Sequence, residues 1–409
     1  MRGLDAPAGI GSANRALEEA PMSRRAPSDR RRIPLETLQW LLLPAASLAV
    51  AAALLTTVVS SDMKTFLIPW MTAVRSGGLG SLSAEFSNYS PPYVYLLYLA
   101  GPLVPLTGAV AAIKLISLPF VMLASAAMYD IVLQACGDKA RAFAAACATW
   151  VLPTLLANAF WWGQADVIYT AFLLWFVAFA GRGRPAAAAV MFGLALAFKA
   201  QAVLLAPALL YLVLARRMAA WQLLLVPAVY AAMMVPAVLA GRPWLGCLTV
   251  YGVQFEAYRL LRVTAPNIWQ LAARFVGYET GLAIGVVLGS AAAAAIVLAG
   301  LRLRAVPHAF LLIAALSSAL LPFVLPKAHE RFFFPAELLT LALAFARPRY
   351  WGAAALFQIG GLLAYTDFLG RVRGASLWAT GPIALGLIIL VVALREAWRP
   401  PPPDRGAEP

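Results

Sequence analysis

Apolar runs of roughly 18 to 22 residues recur along this chain, each long enough to cross a hydrocarbon layer of about 30 Å as a helix. In lipid every backbone polar group must be paired internally, so only helices or a closed barrel can span. Period-two alternation is absent, which leaves helices. A chain that is 62% hydrophobic and 12% charged, with a mean hydropathy of +0.80, is not a soluble globule. The sequence therefore predicts an all-α integral membrane protein.

The expected spans are 39–60, 110–133, 141–158, 166–181, 186–198, 201–215, 219–240, 281–300, 308–325, 332–346, 351–366 and 376–394, about 12 crossings in all. The apolar stretch Pro91 to Pro105 would make the number odd, and charge decides against it. Arg24, Arg25, Arg30, Arg31 and Arg32 hold the N-terminus inside. Arg182/Arg184, Arg216/Arg217, Arg302/Arg304, Arg347/Arg349 and Arg395/Arg399 fall on that same side only if residues 91–105 form an interfacial or re-entrant helix on the outer face. The expected organisation is a disordered cytoplasmic tail over 1–35, a polytopic domain over 36–398 and a second disordered cytoplasmic tail over 399–409. Connections 61–109 and 241–280 lie outside, and no cleavable signal peptide is visible.

Several function classes drop out. The net charge of +14 does not indicate nucleic acid, because most Lys and Arg punctuate apolar runs. No GxxxxGK[ST] is present, and Gly77, Gly78 and Gly80 lack the strand and spacing of a dinucleotide fingerprint. Cys136, Cys147 and Cys247 show no CxxC spacing, and a structural disulfide is not expected. His308 and His329 are too few for a His-rich metal cluster, so no cofactor is required, although the carboxylates leave a divalent ion open.

Acidic residues are expensive near a bilayer and mark function there. The external ones by this topology are Asp62, Glu85, Asp166, Glu256, Glu279, Glu330, Glu337 and Asp367. Asp62 ends the first span, where its carboxylate either takes a proton from a hydroxyl or caps a helix expected over 64–76. Tyr89 and Tyr93 flank a double proline and either contact sugar or anchor at headgroup level. In the turn Trp161 to Asp166, Trp162 offers an apolar face to a sugar, Gln164 and Asp166 offer polar groups to hydroxyls, and Gly163 allows close backbone approach. The alternative there is an aromatic belt and a helix cap. Lys327, His329, Glu330 and Arg331 crowd one short turn, where the two cations suit a phosphate or serve as topogenic charge. Lys199 with Gln201 forms the apex of a hairpin whose first arm, 186–198, rises only about 20 Å. A cation below the outer surface must meet an anion, for which a lipid phosphate is available, or snorkel.

With those residues in view, the sequence resembles the GT-C class of membrane glycosyltransferases, and within it the bacterial mannosyltransferase-like group related to the second mannosyltransferase of GPI-anchor synthesis. The matching pieces are Asp62 to Trp70, Phe86 to Tyr93, Trp162 to Asp166, Lys199 to Gln201 and His329 to Phe332. A more distant similarity to the glucosyltransferases of N-glycan assembly runs through Tyr89 to Tyr93 and His329-Glu330. The resemblance implies a polyprenyl-phosphate sugar donor, a glycan, glycolipid or other hydroxyl acceptor, and a cavity roofed by outer helices in a bacterial inner membrane. By it Asp62 is the base, while the His329 to Arg331 turn and Lys199 serve the donor phosphate. Lys64 stands where many GT-C relatives carry a second acid, which favours a metal-free site. The expected chemistry is hexose transfer by inversion, with Arg259 or Arg262 as further cations, and the other external carboxylates leave retention through a covalent intermediate as the alternative; the rival reading is a polytopic transporter or flippase.

Overall fold

The computed structural model describes residues 35–256, 259–303 and 308–398. The expected disordered tails, with Arg24 to Arg32 and Arg399, lie outside the described residues, as does Arg304. Among the described residues helices are the only regular secondary structure.

Helices lie at each expected span position, because predominantly apolar runs leave the backbone no other partner in lipid. Five are long and apolar enough to cross a membrane: Ala109–Cys136, Lys139–Trp162, Ala220–Leu239, Tyr278–Leu301 and Ala375–Glu396. Leu42–Thr57, Asp166–Gly181, Pro185–Phe198, Ala200–Leu214 and Ala309–Val324 are apolar but shorter. Length and composition thus establish five candidate spans, and a twelve-fold crossing is not established by them. Irregular turns account for part of the shortening. Lys139–Trp150 stops before Pro153, then resumes and loosens into a π-helical segment, Leu156–Trp162.

Phe334–Ala346 is the central helix, buried over nearly its whole length against Ser117–Cys136, Lys139–Trp150, Asp166–Gly181, Ala309–Val324 and Trp351–Phe368. Peripheral helices leave their apolar side chains uncovered, as with Ile284, Val286, Val287 and Leu288 on Tyr278–Leu301. Such a surface fits a membrane-embedded helix.

Contacts sort the helix ends into two sets. At one end Ser60 Oγ donates to the Trp162 carbonyl at 3.1 Å, Lys199 meets Asp166, and Ser376 Oγ donates to the Thr264 carbonyl at 2.7 Å. At the other Arg182 pairs with Asp130, Arg349 Nη1 lies 3.2 Å from Glu396 Oε2, and Trp398 Nε1 donates to the Ala299 carbonyl at 3.1 Å. The Arg182–Asp130 and Arg349–Glu396 pairs and the polar motifs therefore occupy opposite ends of the bundle.

The long connections are folded. Residues 61–109 form a π-helical turn Met63–Leu67, the helix Ile68–Gly77 and the helix Pro91–Ala100. Residues 241–280 hold the short helices Trp244–Leu248, Val250–Glu256 and Trp269–Ala272. The two connections are tied by Arg242 Nε, 3.6 Å from Glu85 Oε1.

Candidate functional site

Asp62 follows the first helix, Leu35–Thr57, in helical conformation (φ −61°, ψ −37°), and its side chain makes no capping bond. It reaches across the chain instead: Oδ2 accepts from Trp162 Nε1 at 3.1 Å and from Gln164 Nε2 at 2.7 Å. Arg331 Nη1 stands 3.7 Å from the same oxygen, close enough for charge attraction and too far for a hydrogen bond. In place of a cap, the carboxylate is held by groups from two distant segments, the Trp162 to Gln164 turn and Arg331. Oδ1 has no hydrogen bond among the described residues, since both bonds fall on Oδ2.

Asp166 forms the second centre. Its Oδ1 lies 2.5 Å from Lys199 Nζ and its Oδ2 accepts from Asn158 Nδ2 at 2.9 Å. Both members of the pair are buried, so each answers the desolvation of the other. The anion that Lys199 meets within the protein is thus Asp166, where the hairpin length alone had pointed to a lipid phosphate. The ammonium also lies over the rings of Tyr89 and Tyr169, at 5.3 and 5.9 Å.

Tyr89 joins the two centres. Its hydroxyl donates to Gln164 Oε1 at 3.0 Å, its ring packs 4.9 Å from Tyr93 and 5.2 Å from Trp70, and Ser90 Oγ donates to the Ala197 carbonyl at 2.5 Å. Pro91 and Pro92 start the following helix, fixing this docking against the Lys199 turn.

The turn before the central helix supplies the remaining charge. Glu330 is buried and accepts from Thr264 Oγ1. Burial pushes its carboxyl up to about 7, with the adjacent Arg331 guanidinium opposing. Burial pushes the His329 imidazole down to about 3, helped by the positive charges of Arg331 and Lys199. Arg331 lies over the Trp162 ring at 5.5 Å, and its buried Nε and Nη1 have no hydrogen-bond partner.

Trp162 differs from its expected role as a sugar platform. Phe368 stacks on the ring at 4.7 Å and Arg331 covers it as well, so it orients Arg331 and Asp62. Trp161 is the exposed member of the pair, at 41%.

The structure therefore brings Asp62, Tyr89, Tyr93, Trp162, Gln164, Asp166, Lys199, His329, Glu330 and Arg331 to one end of the bundle. Two expected residues stand apart. Lys327, with φ +61°, donates to the Phe255 carbonyl at 2.5 Å and the Tyr278 hydroxyl at 3.0 Å, bracing the 241–280 connection. Gln201 makes no side-chain hydrogen bond among the described residues. Other acids have structural duties: Glu279 pairs with Arg259, Glu85 with Arg242, and Asp367 accepts from the Gly374 and Ser376 amides at 3.3 and 3.1 Å. Glu337, expected outside, is fully buried in the central helix. Among the described residues no group of three or more His, Cys, Asp or Glu is placed to hold a metal ion, and Cys136, Cys147 and Cys247 are free thiols.

Sequence reasoning missed Asn158, Thr264 and Tyr169. Asn158 had a usable signal, since it shares one turn with Trp162; its carbonyl accepts the Gly163 and Gln164 amides at 3.1 and 2.9 Å. Thr264 and Tyr169 carried none.

No family model and no curated protein matches the sequence. Among solved structures the fold is similar to that of ArnT from Cupriavidus metallidurans bound to undecaprenyl phosphate, with a TM-score of 0.50 and 16% identity over 88% of this chain and 77% of that one. The apo state of the same protein gives a TM-score of 0.47 at 15% identity over the same shares. At such identity the likeness is one of fold alone.

Proposed function

We propose that the chain is a GT-C-type glycosyltransferase that moves a monosaccharide, a hexose such as mannose, from a polyprenyl-phosphate carrier to an acceptor hydroxyl on a glycan or glycolipid. The reaction takes place at the extracytoplasmic face of a bacterial inner membrane, crossed about 12 times with both termini cytoplasmic. One observation carries the reading: a partly exposed carboxylate with a free oxygen, Asp62, lies 3.7 Å from Arg331, whose buried Nε and Nη1 have no hydrogen-bond partner. Orphaned buried donors call for an anion. ArnT, of similar fold, has been seen with undecaprenyl phosphate bound.

Asp62 Oδ1 removes the acceptor proton as the hydroxyl oxygen attacks the anomeric carbon. The carbon–oxygen bond to phosphate breaks, and its electron pair leaves on the phosphate, which needs no protonation by a second acid. Arg331 stabilises that charge. In an inverting displacement base and leaving group lie on opposite faces of the sugar, so donor entry draws Arg331 away from Asp62. The Asp166–Lys199 pair, with Gln164 and Tyr89, orients sugar hydroxyls. The charge role belongs to Arg331, so turnover proceeds without a divalent ion.

The test is incubation of purified protein with mannosyl undecaprenyl phosphate and membrane extract, scored for a glycosylated product. Asp62→Asn lowers kcat by about 10² to 10⁴, and EDTA leaves it unchanged. Unaltered turnover in Asp62→Asn removes the base assignment. Movement of lipid-linked sugar across vesicles without any glycosylated product supports the transporter reading instead.

A further inference from the structure

A fully buried lysine that the proposed chemistry does not use lies beneath Asp62. Lys114, on the helix Ala109–Leu115, is 0% exposed. A buried ammonium requires compensation, yet no carboxylate pairs with it among the described residues. Its Nζ donates to the carbonyl of Leu54 at 2.7 Å and to that of Val58 at 2.8 Å. Leu54 belongs to the last turn of Leu35–Thr57, and Val58 follows it. Those are carbonyls that a helix end leaves without intrahelical partners, at the negative end of its dipole. Val58 stands four residues before Asp62.

The stem of the same lysine supports the opposite wall. Gly163 adopts φ +83°, and a Cβ placed there would meet Met63 Cε at 2.5 Å and Lys114 Cγ at 3.3 Å. Gly163 separates Trp162 from Gln164, the two donors that hold Asp62. Ser60 closes the arrangement: its Oγ donates to the Trp162 carbonyl at 3.1 Å and accepts the Met63 amide at 3.2 Å.

We infer that Lys114 is a positioning residue that sets Asp62 against Trp162, Gln164 and Arg331, its ammonium tying down the first helix end and its stem seating Gly163. The inference rests on the reading of Asp62 as base. Lys114→Met keeps an apolar stem and removes the charge. In this variant kcat with mannosyl undecaprenyl phosphate falls about 10- to 100-fold, the scale of a misplacement of roughly 1 Å, while KM for that donor stays within about twofold. Lys114→Arg restores part of the rate. Amide hydrogen exchange of the full chain in detergent rises over residues 54–64 and 160–164 and nowhere else. Should Lys114→Met not fold, Gly163→Ala presses on the same two side chains and gives the same split between kcat and KM. Unchanged kcat, or a rate loss matched by faster exchange throughout the bundle, overturns the assignment. Absence of turnover by the unaltered protein defeats the glycosyltransferase reading alone, because the local exchange pattern still decides what Lys114 holds.

Discussion

Glu330 and His329 are neighbours whose protonation burial drives in opposite directions, and their signs yield a stability prediction. Glu330 rises from 4.5 to about 7, so its folded form binds the extra proton; that contribution is present below about pH 4.5 and lost as pH rises through about 7. His329 falls from 6.5 to about 3, so the unfolded chain takes its proton first, and stability is lost as pH falls from 6.5 towards 3. Between pH 4.5 and 6.5 the two slopes oppose each other. Glu330→Gln removes one of them, and its Tm in detergent climbs with pH across that window more steeply than that of the unaltered chain. Equal slopes would show that Glu330 carries no linked proton. The sequence allowed a cap or a base at Asp62 and a platform or an anchor at Trp162. Choosing between such options needs the partner atoms, which come from residues about a hundred positions away.

Among the helices, Tyr278–Leu301 shows how spacing becomes placement. Gly281, Gly285 and Gly289 recur every four residues and so share one face. On that face a Cβ at Gly281 would strike Leu261, one at Gly285 would strike Pro326 and press on Trp269 at 3.3 Å, and one at Gly289 would meet Leu325 Cδ2 at 2.6 Å. The stripe thus lets the helix lie directly against the residues leading into the His329 to Arg331 turn. Gly285→Leu forces Pro326 aside; it destabilises the fold by about 1 to 3 kcal/mol and lowers turnover, as thermal unfolding and the transfer assay will show. A stable, fully active variant would mean that the turn does not depend on this helix. The period was legible in the sequence, but the neighbour it faces was not, since Leu261, Leu325 and Pro326 come from other segments.

At the scale of the whole molecule the polar motifs sit at one end and the Arg182–Asp130 and Arg349–Glu396 pairs at the other, so labelling can fix orientation. Single cysteines at the exposed positions Leu79 and Val372 react with an impermeant maleimide from outside the cell, whereas ones at Gly183 and Arg217 react only after permeabilisation. Reaction of all four from one side would end the proposed topology. The helix positions followed from the sequence alone, because unpaired backbone is intolerable in lipid and that demand is local. The motifs along the chain were equally visible, being short and rich in groups that are costly near a bilayer. Only the tertiary structure decided that Lys199 answers Asp166, that Lys327 braces a connection, that Glu337 is buried, and that Lys114 holds a helix end. Each of those outcomes turns on which groups of other segments lie nearest, and nearness across helices is a property of packing that sequence order does not contain.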